Sequence, residues 1–184
     1  MARTVITRPA AAEYPPYFET YIGKVPAGDV IGLLRKQIGA TLRTLSKVTE
    51  PGSRHRYAPG KWSIKEVVGH MADTERIFVY RALCFARGEA QGLPGFDENA
   101  FVANASFDAR PFKDHVAELE AVRASSLAFF RGLNAEELGR TGTANQKQFT
   151  VRSVPYIVAG HEIHHLGVMK ERYLGGDLRK RVQR

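Results

Sequence analysis

The chain has 184 residues, of which 43% are apolar, 10% aromatic and 25% charged. That length fits one domain with a sizeable core, the composition argues against disorder, and no apolar run approaches the roughly 18 residues that would read as a membrane span. Lys plus Arg outnumber Asp plus Glu by 27 to 19, but Arg179, Lys180, Arg181 and Arg184 supply four of those charges, which leaves the body only mildly basic.

Residues 1–27 are rich in Pro, Tyr and Ala and read as an irregular N-terminal segment. From Asp29, a candidate N-cap, the apolar positions Ile31, Leu34, Ile38, Leu42, Leu45 and Val48 recur at helical spacing until Pro51–Gly52 ends them. The second helix has the clearest start: Ser63-Ile-Lys-Glu66 is a capping box, with Trp62 and Val67 placed as a hydrophobic staple. Its inward stripe runs Ile64, Val67, Met71, Thr74, Phe78 and fades near Gly88.

A loop of about twenty residues is expected next, through Gly92, Pro94 and Gly95. A third helix opens near Pro111 with Val116, Leu119, Val122, Phe129 and Leu133 inward, and Asn134-Ala-Glu-Glu137 looks like the capped start of a short extra one. Residues 139–149 are polar and rich in Gly and Thr, which predicts a loop. The last helix starts near Thr150 or Ser153 and carries Val154, Ile157, Val158, His161, His165 and Val168 on one stripe. Four long amphipathic helices without alternating strands predict an all-α four-helix bundle over residues 28–175, with long inter-helix loops and a basic tail at 176–184.

His161 and His165 stand about 40° apart in azimuth and about 6 Å apart along the helix axis, a spacing at which two imidazoles can share one divalent ion. Both fall on the inward stripe, where bare imidazoles among valines and isoleucines need partners. His70, on the apolar side of the second helix, is the candidate third ligand, because inward residues of different helices meet in a bundle core. The bland reading of His70 alone is a core histidine bonded to a carbonyl; the pair elsewhere changes that balance. Three neutral imidazoles leave a coordination position open, as catalytic sites do. His164 sits off the centre of the stripe and is placed outside the ligand set.

His161-Glu162-Ile163-His164-His165 also matches H-E-x-x-H, in which the glutamate of a metalloprotease acts as general base. The extended form of that motif fails, since Val168 and Glu171 stand where Gly and His are required. Glu162 points about 100° away from His161 on a helix, so it stays a weak catalytic candidate.

Trp62-Ser-Ile-Lys-Glu-Val-Val-Gly-His70-Met-Ala-Asp73-Thr-Glu75, with Tyr80-Arg81 after it and Ala159-Gly-His161-Glu-Ile-His-His165 near the end, resembles the DinB-like superfamily, which includes thiol transferases of the bacillithiol and mycothiol type. The resemblance covers roughly residues 28–175. It implies a four-helix bundle, nickel or zinc on His70, His161 and His165, and homodimers. The Trp-Ser…His element with its distant His-x-x-x-His is specific for fold and metal, far less so for reaction.

A bound ion of this kind lowers the pKa of a thiol or water. The expected function is therefore a thiol-dependent S-transferase, with a low-molecular-weight thiol as cosubstrate, or a hydrolase, acting on a small molecule. The rival reading is a metal- or ligand-binding sensing module without turnover. Nucleic-acid binding through the basic tail is a third, weaker one, because such tails are more often solvated ends. Asp73 can orient an imidazole or meet Arg76; Arg81 matches a family position and can hold an anionic substrate group or bridge helix to loop. Trp62 and Tyr80 are candidate pocket residues, although the staple already explains Trp62. Cys84, the single cysteine, excludes an internal disulfide and reads as packing; together with the start of the chain it gives a cytoplasmic expectation.

Overall fold

The computed structural model describes residues 5–175, so the basic tail lies outside the described residues. Ser63 Oγ accepts from the Glu66 amide at 3.1 Å while Glu66 Oε2 accepts from the Ser63 amide at 2.6 Å, and this reciprocal cap opens α3, Ile64–Ala86. Asp29 Oδ1 accepts from the Ile31 amide at 3.0 Å and opens α2, Val30–Leu45. Two further long helices complete a bundle: α5, Phe112–Arg131, and α7, Ser153–Val168, which runs on into a π-helical stretch, Met169–Leu174.

Helix α2 packs against α5 and α7, and so does α3. The consecutive helices α2 and α3 therefore occupy a diagonal, and the chain must cross the end of the bundle between them. The crossing segment is anchored by Glu50, whose Oε1 takes a hydrogen bond from the fully buried Lys65 Nζ at 2.5 Å and whose Oε2 accepts from the Phe112 amide at 2.7 Å. One carboxylate thus caps α5 and neutralises a cation under α3.

Every residue of α7 from Ser153 to Glu162 is buried. A helix covered on all sides has no solvated face to carry polar residues, so the polar groups found there need internal partners.

Three local expectations are corrected. The N-terminal segment is not merely irregular: it holds two 3-10 turns and a short helix, α1, Glu19–Ile22, which packs on α7. Gly160 makes that approach possible, because a Cβ there would lie 2.1 Å from the Tyr21 carbonyl oxygen. The twenty-residue loop after α3 contains a seven-residue helix, α4, Glu98–Asn104, capped by Asp97.

The third correction concerns residues 139–149, where a hairpin replaces the expected loop. After the short capped α6, Ala135–Gly139, strands β1, Thr141–Ala144, and β2, Lys147–Thr150, pair antiparallel with Thr141 opposite Thr150. Asn145 and Gln146 at the tip both have positive φ, 49° and 59°, which is the geometry of a tight two-residue hairpin turn. Four-residue strands are too short to show alternation, and Gln at the second turn position hides the signal that Asn-Gly would give. Packing holds the hairpin down: Phe149 stacks edge-on against Phe85 and Phe18, and the Phe85 ring fills the space where Gly142 would have a Cβ.

Candidate metal centre

His70 projects from the second turn of α3, and His161 and His165 project from successive turns of α7. His161 Nε2 lies 3.2 Å from His70 Nε2 and 3.0 Å from His165 Nε2, and one ligand atom from each of the three rings falls within 4.8 Å of the other two. His70 and His161 are buried and His165 is half-buried.

Ring nitrogens of three histidines gathered this closely need an explanation. Each neutral imidazole nitrogen is either a donor or an acceptor, so a single His161 nitrogen cannot satisfy two neighbours with good hydrogen bonds at once. Among the described residues no carboxylate joins the cluster. The two separations lie close to the roughly 3.3 Å expected between ligand atoms of a tetrahedral ion at bond lengths of about 2.0–2.1 Å, so the donor set fits a divalent cation. The Thr74 hydroxyl lies 3.4 Å from His70 Nδ1, and the tautomer with its proton on Nδ1 can donate to that hydroxyl while its Nε2 lone pair faces the other histidines.

The electrostatics favour the neutral, ligating form. Burial pushes His70 down to about 4. Burial, and then the neighbouring His70 and His164, push His165 down to about 3. His161 is held well below its ordinary value by burial first and by the three other histidines after it. A cluster that resists protonation keeps three lone pairs available at neutral pH.

The cluster opens into a cavity of about 550 Å³. Trp62, 4.7 Å from the His70 ring between centroids, and Tyr21, 5.4 Å from His161, form part of its wall, together with Phe18, Phe78 and Phe149. Tyr173, in the π-helical stretch, donates to the Trp62 carbonyl at 2.7 Å and ties that side of the wall to the end of α7. Burial raises the Tyr21 hydroxyl above its usual range, so it stays protonated.

The other residues singled out from sequence are distributed more widely. Arg81 is buried and lines the cavity. Tyr80 is 55% exposed and lies in a separate groove with Leu83 and Phe129. Asp73 pairs with Arg76 at 3.3 Å, while Thr74 takes the position beside His70. Glu162 turns to α2 and α5, where it accepts from the Thr41 hydroxyl and faces Arg123. His164 stands on the cavity wall, 5.1 Å from His165 between ring centroids, outside the three-nitrogen cluster. Thr74 and Tyr21 escaped sequence reasoning as site residues. Thr74 could have been found as the residue one turn beyond His70 on the same stripe, whereas Tyr21 left no local signal.

A family model described as the DinB superfamily matches residues 33–169. The chain belongs to that family. Within it, 128 residues are 23% identical to a protein of Oceanobacillus iheyensis named as a proposed metal-dependent hydrolase, covering 69% of this chain and 73% of the relative. Among solved structures, YfiT from Bacillus subtilis, described as a probable metal-dependent hydrolase with an unusual four-helix bundle topology, superposes with a TM-score of 0.69 at 19% identity over 85% of this chain and 98% of its own. The mycothiol-dependent maleylpyruvate isomerase gives 0.64 at 15% identity over 79% of this chain and 61% of its own. YjoA, a DinB-like protein of Bacillus subtilis, gives 0.57 at 18% identity, covering 79% of this chain and 90% of its own. At those identities the structural likeness establishes the fold: the DinB bundle. Among the described residues no helix is long and apolar enough to cross a membrane.

Proposed function

We propose that this DinB-superfamily protein is a metal-dependent enzyme acting on a small molecule, with His70, His161 and His165 holding one divalent ion, nickel or zinc. The observation that carries the reading is the convergence of three buried or half-buried Nε2 atoms at 3.0 and 3.2 Å with no carboxylate among them. When bound, the ion supplies a Lewis acid that makes a thiol or a water nucleophilic at neutral pH. The chain's own residues do the rest. Thr74 fixes the His70 ring, the aromatic wall around Trp62 and Tyr21 keeps bulk water from the reacting groups, and the lowered histidine pKa values keep protons off the ligating nitrogens.

Cys84 is not among the residues lining the cavity, so a sulfur nucleophile has to arrive as a low-molecular-weight thiol cosubstrate. Such a thiol gives S-transfer onto an electrophile, and water gives hydrolysis; the name of the mycothiol-dependent neighbour supports the first and those of the hydrolase relatives the second. A homodimer, expected from the family, and a cytoplasmic location, expected from the single cysteine, belong to the same proposal.

Elemental analysis of the purified protein tests the reading, together with turnover of a panel of thiol–electrophile pairs and of esters and amides. About one ion per chain, lost in His70→Ala along with turnover, is the expected result. A full complement of metal with no turnover across the panel favours the sensing module instead.

A further inference from the structure

Among the described residues three lysine or arginine side chains are buried, and two of them have carboxylates. Lys65 pairs with Glu50, and Arg123 with Glu75 and Glu162. Arg81, 6% exposed, has no carboxylate partner among the described residues. It donates from Nη2 to the Pro94 carbonyl at 2.9 Å and lies over two aromatic rings, Phe78 and Phe96, with centroids 5.4 and 5.7 Å from Cζ. A guanidinium stays charged in a protein, and a buried charge without a counter-ion is costly. This one lines the cavity that holds the three histidines.

The helix sets the distance. Eleven residues separate His70 and Arg81, which puts them within about 20° of one another on the same face of α3 and about 16 Å apart along its axis. Contact with Phe78 draws the guanidinium back toward His70. Phe18, Phe78 and Phe149, in edge-on contact through Phe18, line the same cavity. The other charged residues lining the cavity outside the histidines, Lys147 and Glu98, are exposed and opposite in sign.

We propose that Arg81 anchors a carboxylate at one end of an elongated substrate whose other, reactive end reaches the three histidines across an apolar or planar middle. The inference deepens the metal-enzyme reading and rests on it. The planar fork of arginine matches a carboxylate with two parallel hydrogen bonds, which a neutral isostere cannot make. Anion and reactive group have to be several bonds apart, because one atom cannot serve both sites.

The test uses the full chain loaded with Co(II) and titrated with ω-mercaptoalkanoic acids of two, six, eight and eleven carbons, each against its primary amide. The thiolate-to-cobalt charge-transfer band reports arrival at the histidines. The expected result is that one of the longer acids binds about tenfold more tightly than its amide, that the two-carbon acid shows no preference, and that Arg81→Met abolishes the preference while Arg81→Lys keeps part of it. A merely structural Arg81 would weaken acid and amide alike. Equal affinities at every length in the unaltered protein, with the band present, overturn the proposal, as does a preference that survives Arg81→Met. Failure to take up Co(II) overturns the metal reading and this one with it, whereas bound Co(II) with no thiolate band at any length overturns this one alone. The acid–amide comparison on the unaltered chain decides the matter even if a variant fails to fold.

Discussion

Nη1 of Arg123 on α5 lies 2.8 Å from Oε2 of Glu162, the residue that follows His161 on α7, although the angle is too bent for a good hydrogen bond. The same guanidinium holds both oxygens of Glu75 at 2.8 Å and donates to the Leu34 carbonyl at 3.1 Å. The H-E-x-x-H segment therefore divides its labour by helix azimuth. Its histidines face the cavity, while its glutamate, 2% exposed, faces the other way and knits α7 to α2 and α5.

That division predicts different fates for two variants. Arg123→Met leaves two buried carboxylates without their cation and costs on the order of 3–5 kcal/mol, seen as a lower midpoint in denaturant. Glu162→Gln keeps the oxygen that accepts from Thr41 and is expected to retain full metal content and turnover. A Glu162→Gln protein with its metal in place but no activity would restore the glutamate to the role of general base.

Metal removal gives a second prediction. An ion at a hundred times its Kd stabilises the fold by about 2.7 kcal/mol, so chelation lowers Tm by about 5–10 °C for a chain of this size. Scanning calorimetry of the protein with and without chelator measures the shift. His161→Ala and His165→Ala proteins should melt at the same temperature in both.

The lowered histidine pKa values set the pH dependence of the metal-free protein. In the unfolded chain these rings take up protons near 6.5, whereas in the fold His70 does so at about 4 and His165 at about 3. Between about 6.5 and 4 the unfolded chain binds more protons than the native one, so stability rises with pH and is lost as acid is added. Below about 3 both rings are charged in both states and contribute no further slope. Denaturant melts at pH 7.5, 6 and 5 should show a falling midpoint, and His70→Ala should flatten part of the fall.

The four bundle helices were legible because each starts or repeats by a local rule: the Asp29 cap, the Ser63–Glu66 box, Pro111 and the stripe through Ile157 and His161. The three-histidine set was legible for a related reason, since inward stripes of two helices must meet in one core. What remained hidden depends on contacts remote in sequence. The hairpin at Asn145–Gln146 exists because Phe149 has Phe85 and Phe18 to pack on, and α1 settles on α7 because Gly160 leaves room for a carbonyl. The Glu162–Arg123 pair joins residues 39 apart in the chain, too far for any helical spacing rule to couple them.

Gly160 is consequently a sensitive position. A methyl group there meets backbone atoms of Tyr21, not a side chain that can swing away. Gly160→Ala is expected to cost about 1–3 kcal/mol or more, and to lift Tyr21 from its edge-on contacts with His161 and His164 at 5.4 and 5.6 Å. Limited proteolysis should then cut within residues 10–28, where the parent protein resists. A variant as stable and as resistant as the parent would mean that α1 does not sit on α7 in solution.

Thr74 offers the narrowest test of how the site is held. Its hydroxyl is the group within hydrogen-bonding reach of His70 Nδ1, and Val has nearly its shape without its polarity. If that contact orients the ring, Thr74→Val lowers metal affinity about 10- to 100-fold, the range found for outer partners of metal-binding histidines, while the helix stays intact by circular dichroism. Asp73→Asn is the control: its carboxylate is committed to Arg76, so affinity should hold. The reverse pattern, a loss with Asp73→Asn and none with Thr74→Val, would move the orienting role one residue back along α3 and require the His70 ring to turn toward the α5 side when metal binds.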